Sequence, residues 1–390
     1  MNKKSLRQQS FRVVNNQTMK KIFILLIASV LLLPACRRGE TANLPSQGDT
    51  LDIRYAENLQ IIAYPDYYAA VLRNPWDTLQ TLHTYLLAPE GISLPDSLAE
   101  SATVVCIPLR KAVVTTSVHC ALIDELGKAQ SIAGVCDSKY IDVPSIAAGL
   151  HSGVVKDLGN SMDPDIEQLI MLRPDAMLLS SFENDTHGRL AQTGIPLIEC
   201  ADYMETSPLG RAEWMRFYGL LFGCAEKADS TFGEVERAYK ELAARAEGLP
   251  KPTLLAELKS SAWYVAGGKS TMGQLYADAG ADYLFDYLDN SGSVPLSFEA
   301  VFDKAHDADV WIFKYYAEEP MTYEKLRRDV PAYAGFKAFR ERKMWGCNTL
   351  VTPFYEETPF HPERLLDDLT KIFHPELAND TVFHYFYSLD

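Results

Sequence analysis

The side chains of this 390-residue chain that are equipped for chemistry stand in short clusters behind apolar runs. Thr116, Ser117 and His119 follow one predicted strand, Lys139 and Tyr140 a second, and Ser180, Ser181 and Phe182 a third. Farther along come Trp263 and Tyr264, then Lys314, Tyr315 and Tyr316, then Phe354 and Tyr355. Crevices in α/β structures open beyond the carboxyl ends of strands, so these are candidate ligand contacts. Together they offer aromatic faces for stacking and a few hydrogen-bonding groups, which is the chemistry of binding. Trp263-Tyr264 is the foremost candidate. It precedes Gly267-Gly268-Lys269-Ser270, where paired glycines allow close backbone approach ahead of a helix. The spacing of a phosphate-binding P-loop is absent there.

The same inventory argues against catalysis. The nearest approach to a nucleophile elbow is Gly292-Ser293, with no second glycine in register, which disfavours a secreted α/β hydrolase. No catalytic residue or catalytic cofactor is expected. His119, His187 and His361 form no HxH or HExxH pattern and read as core or solvated side chains, so no bare-metal site is expected. Cys106, Cys120, Cys136, Cys200, Cys224 and Cys347 include no CxxC pair. The β repeats of a surface adhesin are missing.

At the amino end, Met19, Lys20 and Lys21 precede an apolar run over 22–33 that is too short to cross a bilayer. Leu33-Pro34-Ala35-Cys36 resembles the lipobox of bacterial lipoproteins. That resemblance implies cleavage after residue 35 and acylation of Cys36, and two or more acyl chains anchor firmly. Loss of 1–35 leaves 31 positive against 52 negative groups. A polyanion of this kind is excluded as a nucleic-acid binder and is repelled by anionic headgroups. A body held off the membrane on a polar tether over 36–50 fits that balance.

These clusters need elements to position them. Residues 51–101 hold short apolar segments split by Asn74-Pro75 and Pro89-Glu90-Gly91, predicting a β-rich extension. From 102 strands and helices alternate, which predicts an α/β lobe over 102–206. Its parts include strands at 103–107, 112–116, 131–135, 176–179 and 196–199. A helix over 165–172 is expected to start from an Asp163-Pro164 cap. Residues 207–249 follow a helical period with one interruption at Gly223 and predict a long linking helix. A second α/β lobe covers 250–375, and 376–390 reads as a tail. The fold class is α/β, with two Rossmann-like lobes joined by a long rigid helix.

The two lobes share a pattern. Met162 to Glu167 leads through Leu172-Arg-Pro-Asp175 into an apolar strand, and Pro295 to Glu299 leads through Ala308-Asp309 into another. This resembles the iron-chelate and cobalamin class of periplasmic substrate-binding proteins of ABC importers, over about residues 102–375. The resemblance implies capture of a flat metal chelate in the interlobe cleft: an iron–siderophore or haem, with cobalamin as the alternative. Ser117, His119, Tyr140, Ser181, Phe182, Trp263, Tyr264, Lys314, Tyr315 and Tyr355 then become ligand contacts, His119 being the axial candidate for haem. Glu167 and Glu299 match the surface glutamates by which that family docks on arginines of the membrane permease, which works with its ATPase. A monomer, lipid-anchored at the periplasmic face of the inner membrane, is implied.

Overall fold

The computed structural model describes residues 44–378 and 380–390. The signal segment and Cys36 lie outside them. The extension is a five-stranded sheet of Asp49–Thr50, Leu59–Ala63, Tyr68–Arg73, Thr81–Pro89 and Thr103–Ile107, in that order. The first four run antiparallel. Thr103–Ile107 pairs parallel to Thr81–Pro89, with Tyr85 opposite Thr103. The strand expected to open the first lobe therefore completes the extension. The short helix Asp96–Ala99 between the two strands provides the crossover that parallel pairing needs.

The first lobe is an all-parallel sheet ordered Leu197–Cys200, Ala176–Ser180, Ala112–Val114, Ile132–Val135, Lys156–Asp157. Its central strands are unbroken apolar runs buried on both faces, as helices on both sides require. The second lobe runs Asp282–Tyr283, Thr253–Ala256, Val310–Tyr315, Met344–Asn348, Tyr387–Ser388, the last antiparallel. Trp263–Ala266 stands apart in a two-stranded ribbon with Ser293–Leu296.

The connection between the lobes is three helices in place of one: Pro208–Glu213, Met215–Leu221 and Ala225–Ala246. Ser207 caps the first by accepting from Gly210 N at 2.9 Å. The second break falls at Gly223, whose φ of 64° leaves the helical region. The third helix, 22 residues long, spans about 33 Å at 1.5 Å per residue. Phe232, Val235 and Tyr239 form its buried stripe.

Two carboxylates hold the extension, one in the first of these helices and one just ahead of it. Buried Glu213 accepts from the backbone N–H groups of Arg54, Tyr55 and Ala56 at 2.7–3.0 Å. Glu205 accepts from those of Glu57 and Asn58, both at 2.9 Å, and from Trp214 Nε1. The carboxyl end is docked as well. Fully buried Asp368 accepts from the N–H groups of His384, Tyr385 and Phe386, which seats the edge strand Tyr387–Ser388.

Candidate ligand-binding cleft

Residues at and beyond the carboxyl ends of the strands of each lobe contribute to three cavities. One, of about 550 Å³, lies between the lobes, with Leu122, Glu125 and Val143 on one side and Thr349, Pro353 and Phe360 on the other. A second, of about 330 Å³, belongs to the first lobe and is lined by Thr116, Met162, Ser180, Phe182 and His187. The third, of about 500 Å³, belongs to the second lobe and collects Glu257, Tyr264, Lys314, Tyr315, Tyr316 and Tyr355. Thr349 borders both the first and the third.

Among the described residues, two links between side chains cross from one lobe to the other. Thr116 caps the helix Ser117–Glu125, leaving Ser117 Oγ to donate to Glu356 Oε1 at 3.0 Å. At the other end of the same helix, Glu125 meets His361 Nε2 at 2.7 Å, and Glu363 meets His361 Nδ1 at 2.9 Å. Burial opposes a charge on His361, but the two carboxylates outweigh it and push its pKa up to about 9.

The expected contacts divide. Tyr264, Tyr355 and Phe182 are exposed on cavity walls, Lys314 and Tyr315 line the third cavity, and Ser117 stands at the lobe junction. Tyr140 is exposed but lines none of the three cavities; the Lys139 ammonium lies 4.6 Å over its ring. Tyr315 turns its hydroxyl away to share a hydrogen bond with Tyr387.

Three residues expected at the ligand are interior. Trp263 is fully buried, stacked 5.5 Å from Trp311 and donating Nε1 to Ala256 O at 3.0 Å. Successive residues of a strand point to opposite faces, so Trp263 enters the core while Tyr264 meets solvent. The glycine pair beyond them is close-packed against the protein's own backbone: a Cβ on Gly267 would lie 2.1 Å from Asn290 O. Ser181 is buried, its carbonyl accepting from Tyr203 OH, and the wall position falls to Ser180. His119 is buried with both ring nitrogens engaged, Nδ1 by Thr116 Oγ1 at 2.6 Å and Nε2 by Asp202 at 2.8 Å and Tyr218 OH at 2.9 Å. Burial opposes its charge, but Cys200 and Asp202 outweigh that and push its pKa up to about 10. Neither nitrogen is left for an axial bond.

Glu257, Glu356 and Thr349 also line these cavities, without a signal in the sequence that marks them. Glu257 holds a left-handed backbone, φ 66°, unusual for a residue with a side chain. Its N–H donates to Ile312 O at 2.8 Å, its carbonyl accepts from Trp311 Nε1 at 2.8 Å, and its carboxylate pairs with Lys314. Burial disfavours the Lys314 charge, yet that ion pair holds its pKa above the usual value.

Glu167 and Glu299 are exposed in the first turns of Ile166–Leu172 and Phe298–Ala305. The first helix is capped by Asp165, which accepts from Gln168 N; Asp163-Pro164, the expected cap, instead pairs with Gly159–Asn160. Ser297 caps the second. Hydrogen bonds from its own N–H and from Ser297 lower the pKa of Glu299. The aspartates after the helices also correspond. Asp175 accepts from the N–H groups of Arg110 and Lys111, and Asp309 from that of Thr253, so each ties the start of a neighbouring strand.

The sequence profile of a family described as periplasmic binding protein matches residues 112–348. An uncharacterized lipoprotein of Methanocaldococcus jannaschii is 24% identical over 372 residues, covering 89% of this chain and 88% of its own. Among solved structures, a periplasmic heme binding protein from Pseudomonas aeruginosa is similar with a TM-score of 0.55 at 17% identity, covering 72% of this chain and 98% of its own. The periplasmic vitamin B12 binding protein of Vibrio cholerae is similar with a TM-score of 0.52 at 11% identity, covering 68% and 96%. At these identities the likeness is one of fold.

Proposed function

We propose, since this chain belongs to the periplasmic binding protein family, that it captures a metal chelate between its lobes and delivers it to an ABC importer. The cargo is an iron–siderophore or haem, with cobalamin as the alternative. The observation that supports this reading is that the two lobes offer unlike cavity walls. Tyr264, Tyr316 and Tyr355 supply stacking faces on one side, and Thr116, Ser117 and Ser180 supply hydroxyls on the other. A flat ligand with polar edges needs both. The protein is a carrier, and its partners are a permease and that permease's ATPase. The acyl chains on Cys36 hold a monomer at the inner membrane, facing the periplasm.

The visible spectrum and metal content of residues 37–390, purified from the native host, test the cargo. A Soret band, a corrinoid spectrum or a ferric charge-transfer band each identify one; a protein that comes off colourless and takes up no chelate in tryptophan-fluorescence titrations refutes the reading. Docking rests on the matched placement of Glu167 and Glu299. The double variant Glu167→Ala, Glu299→Ala is expected to bind ligand normally and to abolish uptake. Loss of ligand binding in that variant would overturn the docking role.

A further inference from the structure

We infer that the cleft selects an uncharged or cationic chelate and rejects anionic ones. This deepens the carrier reading, rests on it and narrows its cargo: haem, whose propionates make it anionic, is set aside in favour of a neutral or cationic chelate. All five basic side chains lining the three cavities are already matched to carboxylates. Lys314 pairs with Glu257. Arg364 meets Glu357 at 2.8 Å, and His361 meets Glu125 and Glu363 at 2.7 and 2.9 Å. His187 meets Glu199 at 2.5 Å and Asp185 at 3.3 Å, and Arg189 meets Asp163 at 3.2 Å. The Arg189 pair is solvent-exposed and the weakest of these. Lys139 lies over the Tyr140 ring and lines none of the cavities.

Carboxylates are in excess. Asp124, Asp142 and Glu356 line the interlobe cavity, and among the described residues none has a cation within 4.0 Å. Asp124 accepts only from Ser145 Oγ and Glu356 from Ser117 Oγ. A chelate with free carboxylates or catecholates would therefore find no unpaired counter-ion. To gain one it must open an existing pair, leaving a carboxylate such as Glu257 half-buried and alone, which is costly. It must also approach three uncompensated negative groups, a repulsion that discriminates between ligands of one size. A neutral chelate meets the hydroxyls and tyrosines without that cost, and a cationic one gains from Asp124, Asp142 and Glu356.

Titration of the full folded chain by tryptophan fluorescence at pH 7 and low salt, with four probes, tests this. Ferrioxamine B is cationic, cyanocobalamin carries no net charge, and haemin and ferric citrate are anionic. The expected result is binding of at least one of the first two at least 100-fold more tightly than either anion. Haemin or ferric citrate binding as tightly as both others overturns the charge selection and leaves the carrier reading standing. Failure of all four chelates to bind overturns both. Glu356→Gln keeps an acceptor for Ser117 and removes one charge; it is expected to weaken the cationic probe about tenfold more than cyanocobalamin. Equal loss for both probes would show that the carboxylate acts by shape alone and would refute the inference.

Discussion

Asp175 and Asp309 occupy corresponding places in the two lobes, each after a capped helix and before a central strand, and each binds the backbone at the start of the neighbouring strand. Beyond that shared frame the lobes diverge. The first turns threonine, serine and one phenylalanine toward its cavity, while the second turns tyrosines and a lysine–glutamate pair. The frame is set by backbone hydrogen bonds that any parallel sheet must satisfy, so it repeats. The walls carry no such constraint, and they differ.

The comparison breaks most visibly at Trp263 and Tyr264. Trp263→Ala should cost about 3–5 kcal/mol in a denaturant melt, because it empties a core site among Trp311, Tyr333 and Phe336. Tyr264→Ala should change stability by less than about 0.5 kcal/mol and weaken chelate binding about tenfold, as expected for a wall residue. Equal destabilisation by both would erase the inward–outward distinction on which the site rests.

The two aspartates come next. Asp309 also accepts from Thr253 Oγ1 at 2.8 Å and Lys337 Nζ at 2.7 Å, contacts that Asp175 lacks. Asp309→Ala should therefore cost about 2–3 kcal/mol and Asp175→Ala about 1–2 kcal/mol. Although partial burial works against its charge, Lys337 and Thr253 hold the Asp309 pKa down to about 2. A depressed carboxyl stabilises the fold above its unfolded value near 4, and that contribution fades as pH falls toward 2. Acid melts of Asp309→Asn should show a shallower loss over that window.

A smaller effect separates the two links across the lobes. His361 has a folded pKa of about 9 against an ordinary 6.5, so its contribution is complete below pH 6.5 and fades as pH rises through 9. His361→Gln is expected to remove that pH dependence from the denaturant melts. The hydroxyl link Ser117–Glu356 has no such dependence, and Ser117→Ala should lower stability by about 1 kcal/mol equally at pH 6 and pH 9.

What the sequence reveals follows from how local each cause is. The strand Val310–Tyr315 and the helices Phe298–Ala305 and Pro362–Phe373 are apolar runs or amphipathic turns between proline, serine and glycine signals, so their causes are local and legible. Leu59–Ala63 is legible for the same reason. Partners far along the chain are not legible. Thr103–Ile107 looks like any short strand, and nothing in it says that it pairs with Thr81–Pro89 and not with Ala112–Val114. His119 looks available until Asp202, 83 residues on, and Tyr218 close over it. Trp263 and Tyr264 are neighbours in sequence and opposites in space, which a strand's two-residue period could have separated. Glu205, Glu213 and Glu257 carry no local signal at all, since their partners lie in other elements.

The grip of Glu205 and Glu213 on residues 54–58 has a mechanical consequence. Tension applied to the amino-terminal stretch of the chain arrives first at the edge pairing of Asp49–Thr50 and then at five N–H groups seated on two carboxylates. Glu213 belongs to the helical connector and Glu205 stands just ahead of it, so the load reaches the spine of the molecule before the cavity walls. Pulled from that end, the folded body would yield at its edge strand and at those five N–H groups before any cavity wall.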